Sequence, residues 1–423
     1  MIVGIIGSGG REHSICYKIK SSKKVNKIYC FPGNAGTSEI AENIDIGDED
    51  FKKIKDFCLK KKIDLLIIGP EKPLVKGIVD YFSDTNINVF GPNKVASQLE
   101  GSKIFTKKLC EENDIPTAKF KILTKLEETK TFLENSKFPL VIKADGLASG
   151  KGVYICKKFS DAIKASEEIF GGKFGTANSI LIEEFLEGEE MSYFIVSDGN
   201  EFKFFGTAQD HKRVGEGDSG KNTGGMGCYS PSRLFNKELD KKIISKIIKP
   251  TLDAINKIGS NYLGFLYVGL MIKNNEPYLV EFNVRMGDPE CQTLLPLLNT
   301  DLLEIIMSCC LKKLKNQKIE FIKKKSICVV LCSNGYPDKY VKNIKIDNLR
   351  NIVTKKNENI FHAGTKKENG DIYAIGGRVL NFVSTSNNLK ETRNNIFNLI
   401  KKLNWKNGFY RKDIGYKVID WCE

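Results

Sequence analysis

Over the first hundred residues, short apolar runs alternate with stretches whose apolar residues recur at helical spacing. Ile2-Val-Gly-Ile-Ile6 is a buried strand by length and β-branching, and Arg11 to about Ile19 reads as a helix. Lys27-Ile-Tyr-Cys-Phe31, Asp64-Leu-Leu-Ile-Ile68 and Asn88-Val-Phe90 repeat the strand signal, each closed by a Gly or Pro turn. The alternation predicts a doubly wound parallel α/β domain over residues 1–101, with ligands at the carboxyl ends of its strands.

The pattern then changes. Ser102 is placed to cap a helix from Lys103 to about Asn113. Residues 120–192 read as a small α+β unit, and strands and helices alternate again to 311, around a long polar loop at 207–227. Lys312–Lys325 reads as a linker, and 326–423 as mainly strands with one helix near Leu389–Leu403. The chain is thus expected to be an α/β and α+β multidomain protein divided at 1–101, 102–311 and 326–423.

Composition narrows the function classes. At 423 residues with 41% hydrophobic and 28% charged residues, the chain can bury a large core. The net charge is +14, but the lysines are spread along the whole length, which argues for a solvated surface attractive to anionic substrates and against nucleic-acid binding. Twelve cysteines without a CxxC pair give no zinc ribbon or redox motif and suit a reducing cytoplasm. No apolar run approaches a membrane span.

Four segments carry candidate chemistry. Lys143–Val153, KADGLASGKGV, has three residues between Gly146 and Gly150-Lys151 where a P-loop has four, and Gly152 stands where Ser or Thr would. The flanking Leu140-Val-Ile142 and Val153-Tyr-Ile-Cys156 are strand-like, so this is a Gly-rich loop between two strands, suited to fold over a polyphosphate or to be an ordinary hairpin. In Leu279–Arg285, strand alternation places Glu281, Asn283 and Arg285 on one face: oxygen donors for a hard cation beside a guanidinium for an anion. In Ile182–Glu190, carboxylates flank Phe185-Leu186, as a nucleotide hinge or an exposed acidic turn would. The loop at 209–227 is long and Gly-rich enough to hold a small anionic substrate. GSGGREH at 7–13 matches a dinucleotide fingerprint only in part, with Glu12 where its third Gly belongs. His13, His211 and His362 show no metal spacing with one another.

The flap lysines, the acidic hinge and E-x-N-x-R, together and in that order along the chain, resemble the ATP-grasp ligases. More narrowly, GSGGREH, PGNAGT at 32–37, GPEKPLVKGIVD at 69–80, QLEGSKIFTK at 98–107, QDHKRVGEGDSGKNTGGMGCYSP at 209–231, EFNVRMGDPE at 281–290, FHAGT at 361–365 and RKDIGY at 411–416 resemble the phosphoribosylamine–glycine ligase family, also called glycinamide ribonucleotide synthetases. The resemblance implies an ATP-grasp core at 102–311 with a flap subdomain at about 120–192, and a monofunctional enzyme that ligates glycine to 5-phosphoribosylamine; another carboxylate–amine ligase of the superfamily is the alternative. It implies ATP contacts from Lys103, Lys143, Ser149, Gly150, Lys151 and Gly152, a hinge of Glu183, Phe185 and Leu186, and ribose on Glu190, with Glu189 as rival. Glu281 and Asn283 would hold Mg²⁺ or Mn²⁺, and Lys143 and Arg285 would serve the transferring group. Gly9, Gly10, Arg11, Asp210, Lys212 and Arg213 would face the amine and glycine. A cytoplasmic monomer free of membrane and nucleic acid is expected.

Overall fold

The first apolar run becomes the central strand of a parallel sheet. Ile2–Gly7 pairs with Lys27–Pro32 on one side and Leu65–Ile68 on the other; Glu42–Asn43 and Asn88–Phe90 form the edges. The chain winds outward one way, returns and winds the other, so the switch point lies between Gly7 and Gly69, where such sheets open to ligands. The helix Gly10–Lys20 leaves this point. The computed structural model describes residues 1–147, 152–175 and 178–419.

The expected small α+β unit is a four-stranded antiparallel sheet in the order Phe120–Leu123, Ile180–Glu184, Leu140–Ala144, Val153–Cys156. Helices Leu126–Glu134 and Phe159–Phe170 cover it, closing a separate core around Leu133, Ile142, Ile169 and Ile182. Leu140–Ala144 and Val153–Cys156 form one hairpin, so the Gly-rich loop does join two strands.

Beyond this unit the described residues form a nine-stranded antiparallel sheet. From its edge it runs Glu276–Asn283, Leu263–Lys273, Glu189–Asp198, Phe202–Asp210 and Gly227–Ser230, then Lys325–Ser333, Arg378–Ser386 and Glu358–His362, with Gly408–Phe409 beside Lys325–Ser333. Hydrogen bonding is continuous from Gly227–Ser230 into Lys325–Ser333, and Lys325, assigned above to a linker, is the first residue of a strand. Apolar packing also crosses the expected divisions: Val3, Ile5 and Ile15 share a core with Phe194, Phe205 and Leu294. The helix Leu389–Leu403 covers the far part of the sheet. Among the described residues no helix is long and apolar enough to cross a membrane.

Candidate active site

The small four-stranded sheet and the large sheet meet at a cleft, and the chain crosses between them through Phe185 and Leu186, from the strand ending at Glu184 to the one starting at Glu189. Phe185 is 37% exposed there. Glu183 is not. Its neighbour across the ladder is Val141, and Lys143 lies diagonal to it on the same face. One Glu183 oxygen meets Lys143 Nζ at 2.8 Å and the other lies 3.3 Å from Lys107 Nζ. All three side chains are nearly sealed from solvent. Lys107 also donates to Thr117 Oγ1 at 2.6 Å. Sequence reading overlooked Lys107, although its spacing from Lys103 puts both on one helix face.

The base of the Gly-rich loop is tied to that same helix. Ser102 caps it, accepting from the Phe105 N–H at 3.0 Å, and its hydroxyl reaches both Asp145 oxygens at 3.1 and 3.2 Å. Lys103 Nζ donates to Gly146 O at 2.7 Å, and the Ala144 N–H to Gly152 O at 2.9 Å. Burial and the neighbouring Lys143 push the Lys103 ammonium below its usual range, against the pull of Glu281. The predicted phosphate contacts at Ser149, Gly150 and Lys151 lie outside the described residues.

The cleft floor belongs to the large sheet. Glu281 stands opposite Gly269, and a bulge between Gly269 and Leu270 leaves Val280 without a partner. The bulge breaks the strict alternation expected of this strand: Val280 lines the same recess as Glu190, Ser192, Asp210, Lys212 and Tyr267, and its carbonyl lies 3.5 Å from Lys143 Nζ. Lys212 bridges Glu190 at 2.8 Å and Glu281 at 3.7 Å. Glu189 points to the opposite face and pairs with Arg233, so only Glu190 faces the cleft. Burial alone would raise the Glu281 carboxyl; Lys212, Lys143, Lys103 and Arg285 outweigh it and hold the group below the ordinary range. Asp210 and Glu290 move the other way, driven up by burial, with Glu290 also raising Asp210. Asp210 Oδ1 is buried without a hydrogen-bond partner, while Glu290 Oε1 accepts from Ser192 Oγ at 3.0 Å.

Arg285 lies beyond the strand end. Its guanidinium donates to Asn283 Oδ1 at 3.3 Å, Glu100 Oε1 at 2.7 Å and Glu71 Oε2 at 3.2 Å. Glu100 also accepts from the Val284 N–H at 2.7 Å. Burial, reinforced by Glu71, pushes the Glu100 carboxyl up to about 7, whereas Arg285 and Arg11 pull Glu71 down to about 2 against its own burial. Two carboxylates from the N-terminal third of the chain thus hold a guanidinium 214 and 185 residues later.

The metal assignment can be tested against this donor set. Glu281 is ionised and 38% exposed, and Asn283 offers an amide oxygen two residues on. Gly269 opposite Glu281 brings no carboxylate. Asp288 is occupied by Arg378, Gln292 and the Arg11 N–H. Among the described residues no group of three or more His, Cys, Asp or Glu is set to enclose an ion. One carboxylate and one amide fit a hard cation that draws the rest of its shell from phosphate and water.

The remaining predicted contacts divide. Asp210 and Lys212 reach the cleft, whereas Arg213 Nη1 donates to Gly220 O within its own hairpin. Glu12 fills the turn where a dinucleotide pyrophosphate would lie: it accepts from the Gly9 N–H at 2.7 Å, pairs with Arg11 Nε at 2.6 Å, and occupies the space a Cβ on Gly69 would need. Gly10 is packed so tightly that a Cβ would meet Asn381 at 2.3 Å. The three histidines are joints. His13 Nδ1 accepts from the His362 N–H at 2.8 Å, and His211 Nε2 from the Gly415 N–H at 3.4 Å.

Known proteins match this chain over nearly its whole length. The family models for phosphoribosylglycinamide synthetase match along the chain: the N domain at residues 1–100, the ATP-grasp (A) domain at 101–291 and the C domain at 326–417. The phosphoribosylamine–glycine ligase of Caldanaerobacter subterraneus is 43% identical over 419 residues, 98% of this chain and 99% of its own. That of Brucella melitensis is 41% identical over 421 residues, covering 99% of each. The crystal structure of the Thermotoga maritima phosphoribosylamine–glycine ligase superposes with a TM-score of 0.84 at 32% identity, covering 98% of this chain and 100% of that one. With all three family models matched and relatives aligned over nearly its whole length, the chain belongs to the phosphoribosylglycinamide synthetase family of ATP-grasp ligases.

Proposed function

We propose that this protein ligates glycine to 5-phosphoribosylamine at the expense of ATP, through a glycyl phosphate, releasing glycinamide ribonucleotide, ADP and phosphate as a step of de novo purine synthesis. The observation that carries the reading is the convergence of Lys103, Lys143 and Lys212 on Glu281 across one cleft, beside the crossing segment between Glu184 and Glu189.

A carboxylate is a poor acyl donor, and phosphorylation makes it a good one. Lys103 and Lys143 neutralise the phosphates of ATP and orient them toward the floor, with Ser149, Gly150, Lys151 and Gly152 as further phosphate contacts. Glu183 holds Lys143 in place. Phe185 and Leu186 face the adenine and Glu190 the ribose. Glu281 and Asn283 would hold Mg²⁺ or Mn²⁺, which neutralises phosphate charge when bound. Arg285 stabilises the transferring group. Asp210 and Lys212 lie where glycine and the attacking amine meet, beside the strand-end loop of Gly9, Gly10 and Arg11. The amine attacks the acyl carbon directly, so no protein nucleophile is needed, and closure of the loop keeps water from the acyl phosphate. Free thiols throughout the described chain suit a cytoplasmic setting. We assign a monomer.

ADP release measured with each substrate omitted tests the reading. It requires both glycine and phosphoribosylamine; ADP release indifferent to glycine sinks it.

A further inference from the structure

The motif RKDIGY at 411–416 lies far along the chain from the cleft, and none of the chemistry above uses it. Its first residue, Arg411, is nevertheless the largest fully sealed side chain among the described residues, 1% exposed. Burying a guanidinium is costly unless every donor direction is answered, and the partners that answer this one lie around a single loop. Arg411 Nη1 donates to Arg213 O at 3.0 Å and Asp218 Oδ1 at 2.9 Å. Its Nε and Nη2 take the two oxygens of Asp413, at 2.8 and 2.7 Å. Asp413 Oδ2 in turn accepts from the Gly217 N–H at 2.8 Å.

Three further bonds run between the same two segments: the Lys412 N–H to Glu216 Oε1 at 3.2 Å, the Gly415 N–H to His211 Nε2 at 3.4 Å, and Tyr416 OH to Asp218 Oδ2 at 3.2 Å. The segment so gripped, 211–222, starts at the buried His211 and continues as a hairpin of Arg213–Gly215 against Ser219–Asn222 that is half-exposed or exposed. It brings little to the core; Val214 is only partly buried. What it does carry is Lys212, one residue from the Arg213 carbonyl that Arg411 holds, and Lys212 is the cation bridging Glu190 and Glu281 on the cleft floor.

The geometry points to Arg411 as a positioning residue: with Asp413 and Asp218 it forms a clasp by which the C-terminal segment fixes the 211–222 loop and so sets Lys212 in the cleft. This rests on the reading of Lys212 as a contact of the reacting groups. A clasp that served stability alone would have no reason to grip a polar, solvated hairpin. One that aims a cation predicts a selective kinetic defect, because small displacements of a positioned group are expensive in rate.

The test compares the full-length protein with Arg411→Met, Arg411→Lys and Asp413→Asn. Expected for Arg411→Met is a roughly ten- to hundredfold loss of kcat/KM for glycine, with ATP affinity measured by titration within about twofold of the parent and partial recovery in Arg411→Lys. If Arg411→Met does not fold, Asp413→Asn, which removes one arm of the clasp and keeps its shape, carries the same prediction at smaller size. Unchanged kcat/KM in Arg411→Met, or in Asp413→Asn where it stands in, overturns the proposal, as does an equal loss of ATP affinity. A separate readout is trypsin cleavage after Arg213 or Lys221, expected to quicken at least tenfold in Arg411→Met relative to cleavage elsewhere. If wild-type turnover ignores glycine, the substrate reading fails, and this cleavage rate alone decides whether the clasp exists.

Discussion

Glu183 holds Lys143 at 2.8 Å with one oxygen and lies 3.3 Å from Lys107 with the other, so a carboxylate expected at the nucleotide hinge orients the lysine proposed for the phosphates. Two ammoniums share one carboxylate in a nearly dry site, leaving positive charge for a polyphosphate to neutralise. Lys143→Ala removes the cation that reaches the floor from the small sheet, 3.5 Å from Val280 O. A charge-assisted hydrogen bond is worth about 1.5–3 kcal/mol, so nucleotide affinity should fall roughly ten- to hundredfold. Titration with ATP checks it; an unchanged affinity removes Lys143 from the phosphate site.

Lys107 makes a different prediction from the same triad. It donates to Thr117 Oγ1 and Ala118 O, on the far side of Glu183 from Lys143's carbonyl contact with Val280. Lys107→Met strands one Glu183 oxygen in a buried setting, which should cost on the order of 3 kcal/mol, read from the denaturation midpoint. Adding Glu183→Gln should return part of that loss, since a neutral amide needs no second cation. Strictly additive losses would show that the two residues do not interact.

Glu281 is the mirror case. It is 38% exposed and surrounded by Lys212, Lys143, Lys103 and Arg285, so Glu281→Ala takes away charge without opening a cavity. Turnover should disappear while the melting temperature stays within a few degrees. Mn²⁺ binding followed by electron paramagnetic resonance should weaken in parallel. Near-normal turnover in the variant would exclude the metal role.

Much of this architecture is legible in the residues, because local signals agree with the global fold. The apolar runs at Ile2, Lys27, Asp64 and Asn88 form the parallel sheet, Ser102 caps its helix, and the Gly-rich segment at 143–153 spans a hairpin rather than opening a helix. What alternation could not reveal is what depends on long-range pairing. The bulge that turns Val280 toward the cleft exists only against Leu263–Lys273. The continuity of one sheet across the supposed linker depends on Gly227–Ser230 meeting Lys325–Ser333. Arg285 illustrates the same limit: its spacing from Glu281 and Asn283 is legible, but nothing local announces that Glu71 and Glu100 hold its guanidinium.

The buried histidines give the protein an acid limit. Burial lowers His13 to about 3, with His362 adding to it; burial and Arg411 lower His211 to about 4, and burial lowers His362 to about 4. Each accepts or organises a bond that a proton would break, as when His13 Nδ1 accepts from the His362 N–H. The unfolded chain binds these protons near pH 6.5, and the folded chain only near pH 3–4. Between those limits the unfolded state binds more protons, so stability is complete above pH 6.5 and falls with pH, by about 1.4 kcal/mol per pH unit for each histidine. Glu100, raised to about 7, works in the opposite direction over the upper part of this window, so the net slope is shallower than three histidines alone would give. His13→Asn keeps an acceptor for the His362 N–H without a titrating ring. The difference between its unfolding free energy and that of the parent, followed from pH 7 to pH 4, should move in the variant's favour as pH falls. A difference that stays constant across that range would show that His13 titrates normally and is not the buried joint described.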